Sequence, residues 1–305
     1  MKAAPSLRYR LIAAVALLVL TIVANIAFSI YVNAVSAASH ALVNKGVVTV
    51  RVNTFRRPLL LKEFLDSHHA CSVVKQIQVV WSDTENKPSL ELQGQYPEGR
   101  VVFEMHGNNS LNNRFKPMLE VSTDAVLSID DDLVIPCDVL ERAYMVWSSN
   151  TRALVGFSPR IATFDAVSGA TVYGRWQHTW WNGLYNIVLT KAALFSSRYL
   201  YEYNKRVPQN LLDYVDKSRN CEDIVMAHIV AERSQAPPVW VDGSVFEIGK
   251  SGISSGGRAH FSRRGDCLRK AADALGSWPW VFARQKSVQL SLANAFNIAK
   301  GRGKM

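Results

Sequence analysis

The chain opens on an unbroken apolar run, LIAAVALLVLTIVANIAFSIYV at residues 11–32, and then changes rhythm. From residue 47 onward, short apolar runs alternate with stretches of helical periodicity. Residues 47–52 read as a buried strand, and Pro58 opens a helix in which Leu60, Leu61, Phe64 and Leu65 follow helical spacing. Residues 76–81, 101–105, 125–129 and 153–157 read as further strands. Ser110 starts a polar helical stretch, SLNNRFKPMLEV, which Pro117 should bend or interrupt. A helix is predicted over 137–149. A second covers 220–233, with Ile224, Ala227, His228 and Ala231 on one face. A short strand at 239–241 and a Gly/Ser-rich loop at 249–257 follow.

This alternation predicts an α/β fold of Rossmann type, a mostly parallel sheet with helices on both faces. Ligands of such sheets bind beyond the carboxyl ends of the strands. Those ends carry residues 53–57, Ser82 with Asp83, and Asp130, Asp131 and Asp132.

The first apolar run holds no charge and is long enough to cross a bilayer core of about 30 Å as a helix. Lys2, Arg8 and Arg10 precede it, so the positive-inside rule leaves the N-terminus cytosolic and the rest lumenal. Small residues at 34–39 offer a signal-peptidase site, but signal h-regions run only about 7–15 residues. The run therefore reads as an uncleaved anchor. The chain divides into a cytosolic tail (1–10), a transmembrane anchor (11–32), a stem (33–45), a lumenal domain (46–285) and a basic tail (286–305).

The formal net charge is +10, which suits an anionic small molecule, an anionic membrane or nucleic acid. No zinc-finger spacing or RNA-binding signature is present, which argues against nucleic acid. There is one N-glycosylation sequon, at Asn108. The four cysteines are Cys71, Cys137, Cys221 and Cys267. Cys71 ends a helix leading to the sheet's amino edge, whereas Cys137 follows the aspartates at the carboxyl edge. A strand length of about 17–20 Å separates those edges. A disulfide allows about 7 Å between Cα atoms, so no bridge between these two is expected.

The sharpest chemical signal is SIDDDLVIP at 128–136. Side chains alternate along an extended segment, which puts Asp130 and Asp132 on one side and Asp131 on the other. Two carboxylates at a strand's carboxyl end can share Mn²⁺ or Mg²⁺ with an incoming phosphate. The plain alternative is a strand end followed by a helix capped by Asp138. A phosphotransferase would need a P-loop or DxDGT motif, and neither occurs. An inactive, lectin-like glycan binder is the rival class.

A strand, then DDD, then a helix resembles the DxD motif of GT-A glycosyltransferases. More specifically, the chain resembles glycosyltransferase family 64, the exostosin-like enzymes. The resemblance lies in VVW at 79–81, SLNNRF at 110–115, AVLSIDDD at 125–132, VGFSPR at 155–160, NCEDIVMAHIVA at 220–231 and RRGDC at 263–267. WSD at 81–83, SLNNRF and EIGKSGISS at 247–255 are most like the small plant members. Those are linked to mannosylation of glycosyl inositol phosphoceramide, and the animal members build heparan sulfate.

The resemblance implies a GT-A-like domain in the Golgi or ER membrane. It implies a retaining transfer from a nucleotide diphosphate sugar to a glycan or glycolipid, with Mn²⁺, or Mg²⁺ in its place. GDP-mannose and glycosyl inositol phosphoceramide are the favoured pair, with a UDP-N-acetylhexosamine donor as the alternative. A homodimer is left open. By the same resemblance Asp132 is the direct metal ligand, Asp130 the ribose-side acid and second metal candidate, and Asp131 a donor-sugar contact. Arg57 contacts the diphosphate, and Asn109 and Arg114 face the nucleotide and its sugar. Cys221 and Cys267 form a disulfide that brings Asp223 and Arg264 together. Asp223 stands beside the anomeric carbon, and Arg264 steadies the diphosphate or the transition state. Retention then proceeds by front-face return or through a covalent adduct on Asp223. Asn220 and Glu222 belong to the same donor site, with Asn220 also placed to cap the helix. Where the family carries an Asn pair after Trp81, this chain has Ser82 and Asp83, which puts a base contact there in doubt. The aromatic stretch with Tyr173, Trp176, Trp180 and Trp181 is a candidate platform for the acceptor.

Overall fold

The structure is a computed structural model and describes residues 7–41, 45–165, 167, 169–174, 176–249 and 257–288. The chain divides into two units, Asn44–Val288 and the combination of Met1–Val43 with Gln289–Met305. In the smaller unit, α1 (Leu7–Ala41) is a single helix of 35 residues. Its stretch Ala14–Tyr31 has a mean hydropathy of 2.3 and no buried residue, so it is long and apolar enough to cross a membrane. The helix runs on through most of the predicted stem. Residues 34–41 are alanine-rich and contain neither Gly nor Pro, so nothing there stops a helix.

The larger unit begins with β1 (Val48–Thr54), α2 (Pro58–His68), β2 (Val74–Trp81), α3 (Leu90–Gly94) and β3 (Val101–Met105). A 3₁₀ turn at Leu111–Phe115 precedes β4 (Ala125–Asp130), β5 (Leu133–Val134) and α4 (Cys137–Ser149). Then come β6 (Val155–Gly156), β7 (Pro159–Asp165), β8 (Ala170–Gly174), α5 (Trp176–Asn182), β9 (Ile187–Val188) and β10 (Ala192–Ser196). The chain continues through α6 (Arg198–Arg206), α7 (Gln209–Ser218), α8 (Glu222–Ser234), β11 (Val239–Asp242), β12 (Phe246–Glu247), α9 (Gly257–Leu275) and β13 (Lys286–Val288).

Eight strands form the main sheet in the order β13-β11-β6-β10-β4-β1-β2-β3. β1 lies between β2 and β4 and is parallel to both. β10 runs antiparallel to β4 and β6, while β11 is parallel to β6 and β13. The sheet is therefore mostly parallel, as the rhythm predicts. β1 and β4 are buried along almost their whole length, the pattern of strands covered on both faces.

Three local differences from the pattern have physical causes. The polar stretch after Ser110 makes one 3₁₀ turn and stops before Pro117, which lacks the N–H needed to continue a helix. Its start is tied by the Ser110 hydroxyl, which accepts from the Asn112 N–H at 3.1 Å. α8 buries all sides and not one face, with Ile224 to Ala231 all inaccessible, because it passes among α6, α9 and the 3₁₀ turn. The basic tail begins inside the fold, since β13 pairs with β11. Most of that tail, residues 289–305, and residues 250–256 of the Gly/Ser loop lie outside the described residues.

Both cysteine pairs are bonded: Cys221 with Cys267, as expected, and Cys71 with Cys137, against expectation. The expectation failed on the path after the aspartates. The chain does not enter α4 at the carboxyl edge. Residues 133–136 first run back beside α2, where the Ile135 N–H donates to His68 Nε2 at 3.2 Å. This returns Cys137 to the amino edge, with its Cα 5.4 Å from that of Cys71. Arg100 fastens the same corner by donating to the carbonyls of His69, Cys71 and Val74.

Non-reducing peptide mapping should recover a fragment joining Cys71 to Cys137. Replacing both by serine should lower unfolding stability by about 2–4 kcal/mol in denaturant titrations, as for a bridge closing a long loop. A midpoint unchanged from the wild type contradicts the bridge.

Candidate functional site

The carboxyl ends of β1 and β4 meet in register, with Asn53 opposite Asp130. The three aspartates there differ in environment. Asp130 is partly open and pairs with Arg114. Asp131 is fully buried; it accepts from the Thr54 hydroxyl at 2.7 Å and pairs with Arg57 at 2.5 Å. Asp132 is partly open and takes the other nitrogen of Arg57 at 3.0 Å. The alternation holds for exposure, because the outer two carboxylates reach the open edge and the middle one does not. It does not hold for partners, because Asp131 and Asp132 share Arg57 while Asp130 turns to Arg114. Asp131 thus faces Thr54 and Arg57 inside the protein, on the other side from Asp130 and Asp132. Arg57 is occupied by these two carboxylates. Burial pushes the Asp131 carboxyl up to about 7, partly offset by Arg57 and Thr54.

Asp138 lies in the first turn of α4 but forms no side-chain cap, the cap position being Pro136. Asp83 organises the turn after β2, accepting from the Glu85 and Asn86 backbones and the Asn86 amide. The Ser82 hydroxyl accepts from the Asn113 side chain at 3.1 Å.

The second group of residues sits at the N-terminus of α8. Asp223 takes Arg264 Nη1 on both oxygens, at 3.0 and 3.3 Å. Arg264 also donates to the Tyr173 hydroxyl at 3.1 Å and lies 5.3 Å from that ring's centroid. The Cys221–Cys267 bridge joins the start of α8 to α9 close to Arg264. Burial works against the Arg264 charge, but Asp223 holds its pKa well above the ordinary value. Asn220 does not cap α8. The cap position is Cys221, in a left-handed conformation at φ 95°, and Asn220 accepts from the Cys221 N–H. Asp223 itself accepts from the Ile224 N–H at 2.8 Å.

Arg114 joins the two groups. It is 3% exposed, pairs with Asp130, and stands 3.9 Å from Glu222. Its Nε and Nη1 are buried and have no hydrogen-bond partner within the protein. The side-chain amide nitrogen of Asn220 is likewise buried and unpartnered. Asn109 is held by Arg219, which donates to its carbonyl at 2.6 Å and to its side chain at 3.0 Å.

Among the described residues, no three acidic, histidine or cysteine side chains converge as a ready-made metal cage. The donors available at the open edge are the carboxylates of Asp132 and Asp130, both hard oxygen ligands. One or two carboxylates completed by phosphate and water is the ordinary shell of Mg²⁺ and Mn²⁺, so the residues fit such an ion.

Of the aromatic stretch, Tyr173 is buried against Arg264 and is not a platform. Trp180 and Trp181 lie together on α5, with ring centroids 5.5 Å apart, and Trp181 is 80% exposed. Sequence reading missed Arg51 and Glu104, a fully buried pair within apolar strands. Their signal was a charged residue placed inside each of VTVRVNT and VVFEM.

The family model for the glycosyl transferase family 64 domain matches residues 48–291. Glycosylinositol phosphorylceramide mannosyl transferase 1 of Arabidopsis thaliana is 34% identical over 300 residues, covering 93% of this chain and 89% of that protein. Glycosyltransferase family protein 64 C3 of the same organism is 33% identical over 267 residues, 79% of each chain. Glucosamine inositolphosphorylceramide transferase 1, also from Arabidopsis thaliana, is 32% identical over 241 residues, 74% of this chain and 30% of that one.

Glu222 provides a pH test. Burial pushes its carboxyl from an ordinary 4.5 up to about 7, and Asp223 adds to the shift against Arg114 and Arg264. The folded protein therefore holds this proton more tightly than the unfolded chain. That contribution to stability is complete below about 4.5 and is lost as pH rises to about 7. In metal-free thermal melts, Glu222→Gln should gain on the wild type across that interval and hold its gain above it. A difference that does not vary with pH contradicts a buried, protonated Glu222.

Proposed function

This chain belongs to glycosyltransferase family 64 and is a glycosyltransferase; from that premise we propose that it moves a mannosyl group from GDP-mannose to glycosyl inositol phosphoceramide, retaining anomeric configuration. The observation that carries the choice of substrates is its similarity, along 93% of its length, to a glycosylinositol phosphorylceramide mannosyl transferase. A second reading, a UDP-N-acetylhexosamine donor, has support from the glucosamine inositolphosphorylceramide transferase. That relative matches over only 30% of its own length, so it weighs less.

In this reading Asp132, with Asp130, would hold Mn²⁺ (or Mg²⁺). Once bound, the ion supplies Lewis-acid neutralisation of the departing diphosphate. The chain's own residues divide the remaining work. Arg114, with donors to spare at its Nε and Nη1, binds the nucleotide-sugar side and keeps Asp130 oriented. Asn109, Asn220 and Glu222 complete that side. Asp223 faces the sugar, held at the first turn of α8 by its pairing with Arg264. Its charge stabilises the positive character that develops at the anomeric carbon. Arg264, fixed by Tyr173 and Asp223, meets the negative charge of the leaving group. The exposed Trp180 and Trp181 pair offers a stacking surface to the acceptor. α1 would fasten the enzyme in a Golgi membrane with the catalytic unit lumenal.

The test is transfer by the purified full chain, with Mn²⁺, from GDP-mannose and from UDP-N-acetylglucosamine. Asp132→Ala should abolish metal-dependent transfer while the thermal transition survives. Asp223→Asn should lower kcat by about 10²–10³-fold, the scale of losing a preorganised electrostatic contact. Full activity in Asp132→Ala, or transfer from the UDP sugar alone, would contradict the reading.

A further inference from the structure

The Arg51–Glu104 pair plays no part in the chemistry above, yet it is costly to bury. Arg51 is in β1 and Glu104 in β3, with β2 between them, and both side chains are fully inaccessible. Arg51 makes five hydrogen bonds. Two go to the Glu104 carboxylate, each at 2.9 Å, and one to the Gln78 side chain at 2.6 Å. The other two leave the sheet. Nε donates to the Arg114 carbonyl at 2.9 Å, and Nη2 to the Asn113 carbonyl at 3.3 Å. Glu104 is fixed in turn by His106 Nε2 at 2.6 Å.

The two carbonyls belong to the 3₁₀ turn that carries Arg114 into the site. That turn is five residues long and cannot hold its own orientation through regular helix bonds. Its other side is pinned by Asp216, which accepts from Ser110 and Asn112, and by the Tyr203 hydroxyl, which donates to Asn112. Arg51 is the clamp from the sheet side.

We propose that Arg51, oriented by Glu104, is a positioning residue for the transfer: it grips the carbonyls of Asn113 and Arg114 and so sets where the Arg114 guanidinium stands between Asp130 and Glu222. The inference rests on Arg114 facing the donor, as proposed above. Stability alone does not account for the pair. A buried ion pair is often matched or exceeded in stability by apolar side chains of similar volume. What apolar side chains cannot supply is the planar fork, which satisfies a carboxylate and two backbone carbonyls together. A lysine keeps the charge but not the fork.

The experiment uses the full chain with Mn²⁺ and the donor that the wild type turns over. Three variants are compared: Arg51→Lys, the double variant Arg51→Met/Glu104→Met, and Arg114→Ala. Melting temperature, kcat and donor KM are measured for each. Displacing a binding group by about 1 Å can cost about 10²-fold. The double variant should therefore stay folded while kcat/KM falls about 10- to 100-fold, chiefly through a raised donor KM. Arg51→Lys should be folded and impaired in the same direction. A purely structural role would leave kcat/KM per folded molecule at the wild-type value. Wild-type kinetics in the folded Arg51 variants, with Arg114→Ala inactive, overturn this inference and leave the transferase reading standing. Full activity in Arg114→Ala overturns this inference together with the donor-side role proposed for Arg114, and the transfer it shows leaves the transferase reading standing.

Discussion

A guanidinium taken out of water must be met by acceptors on the sides it faces, and Arg114 is met by carboxyl groups on two. Asp130 comes from the end of β4 and Glu222 from the start of α8. Burial alone would lower the Arg114 pKa; Asp130, Glu222 and Asp223 together hold it well above the ordinary value. The dependence runs both ways. Without Arg114, Asp130 and Asp223 would have less cation between them, beside a Glu222 carboxyl that holds its proton up to about 7, and uncompensated buried charge typically costs about 3–5 kcal/mol. The two halves of the site are thus joined by one residue.

The fold delivers Arg114 and its partners from elements that cannot easily shift. β4 lies between β1 and β10 in the sheet, so the aspartates leave a strand paired on both sides. α8 is buried on every side, which fixes Glu222 and Asp223 at its first turn. The Cys221–Cys267 bridge then holds α9, and with it Arg264, against Asp223. The 3₁₀ turn lacks a regular framework, and it is fastened by side chains from β1, α6 and α7.

Much of this could be read along the chain. The parallel sheet followed from apolar runs alternating with helical spacing, and α4 lies at the predicted residues, Cys137–Ser149. Asp223 beside Arg264 and the Cys221–Cys267 bridge followed from motif resemblance. What stayed hidden depends on where the chain turns. The Cys71–Cys137 bridge needed residues 133–136 to run backward, which no periodicity in four residues can announce. β10 is not among the strands the rhythm predicts; it is as apolar as β4, and its antiparallel direction to β4 and β6 leaves no mark in its composition. Tyr173 reads as one more aromatic in a rich stretch until β8 packs against α9 and its hydroxyl meets Arg264. Alternation along the segment matches the aspartates' exposure but not their partners, because Arg57 reaches both Asp131 and Asp132 from the end of β1.

The central claim is that the aspartates after β4 and the Asp223–Arg264 pair form one donor site, spanned by Arg114. The most direct measurement is a crystal structure with Mn²⁺ and an unreactive nucleotide diphosphate sugar, using the anomalous signal of manganese to locate the ion. The account predicts manganese on the Asp132 carboxylate, the nucleotide beside Arg114, and the anomeric carbon against Asp223. A manganese peak away from Asp132, or a donor sugar remote from Asp223, would contradict it.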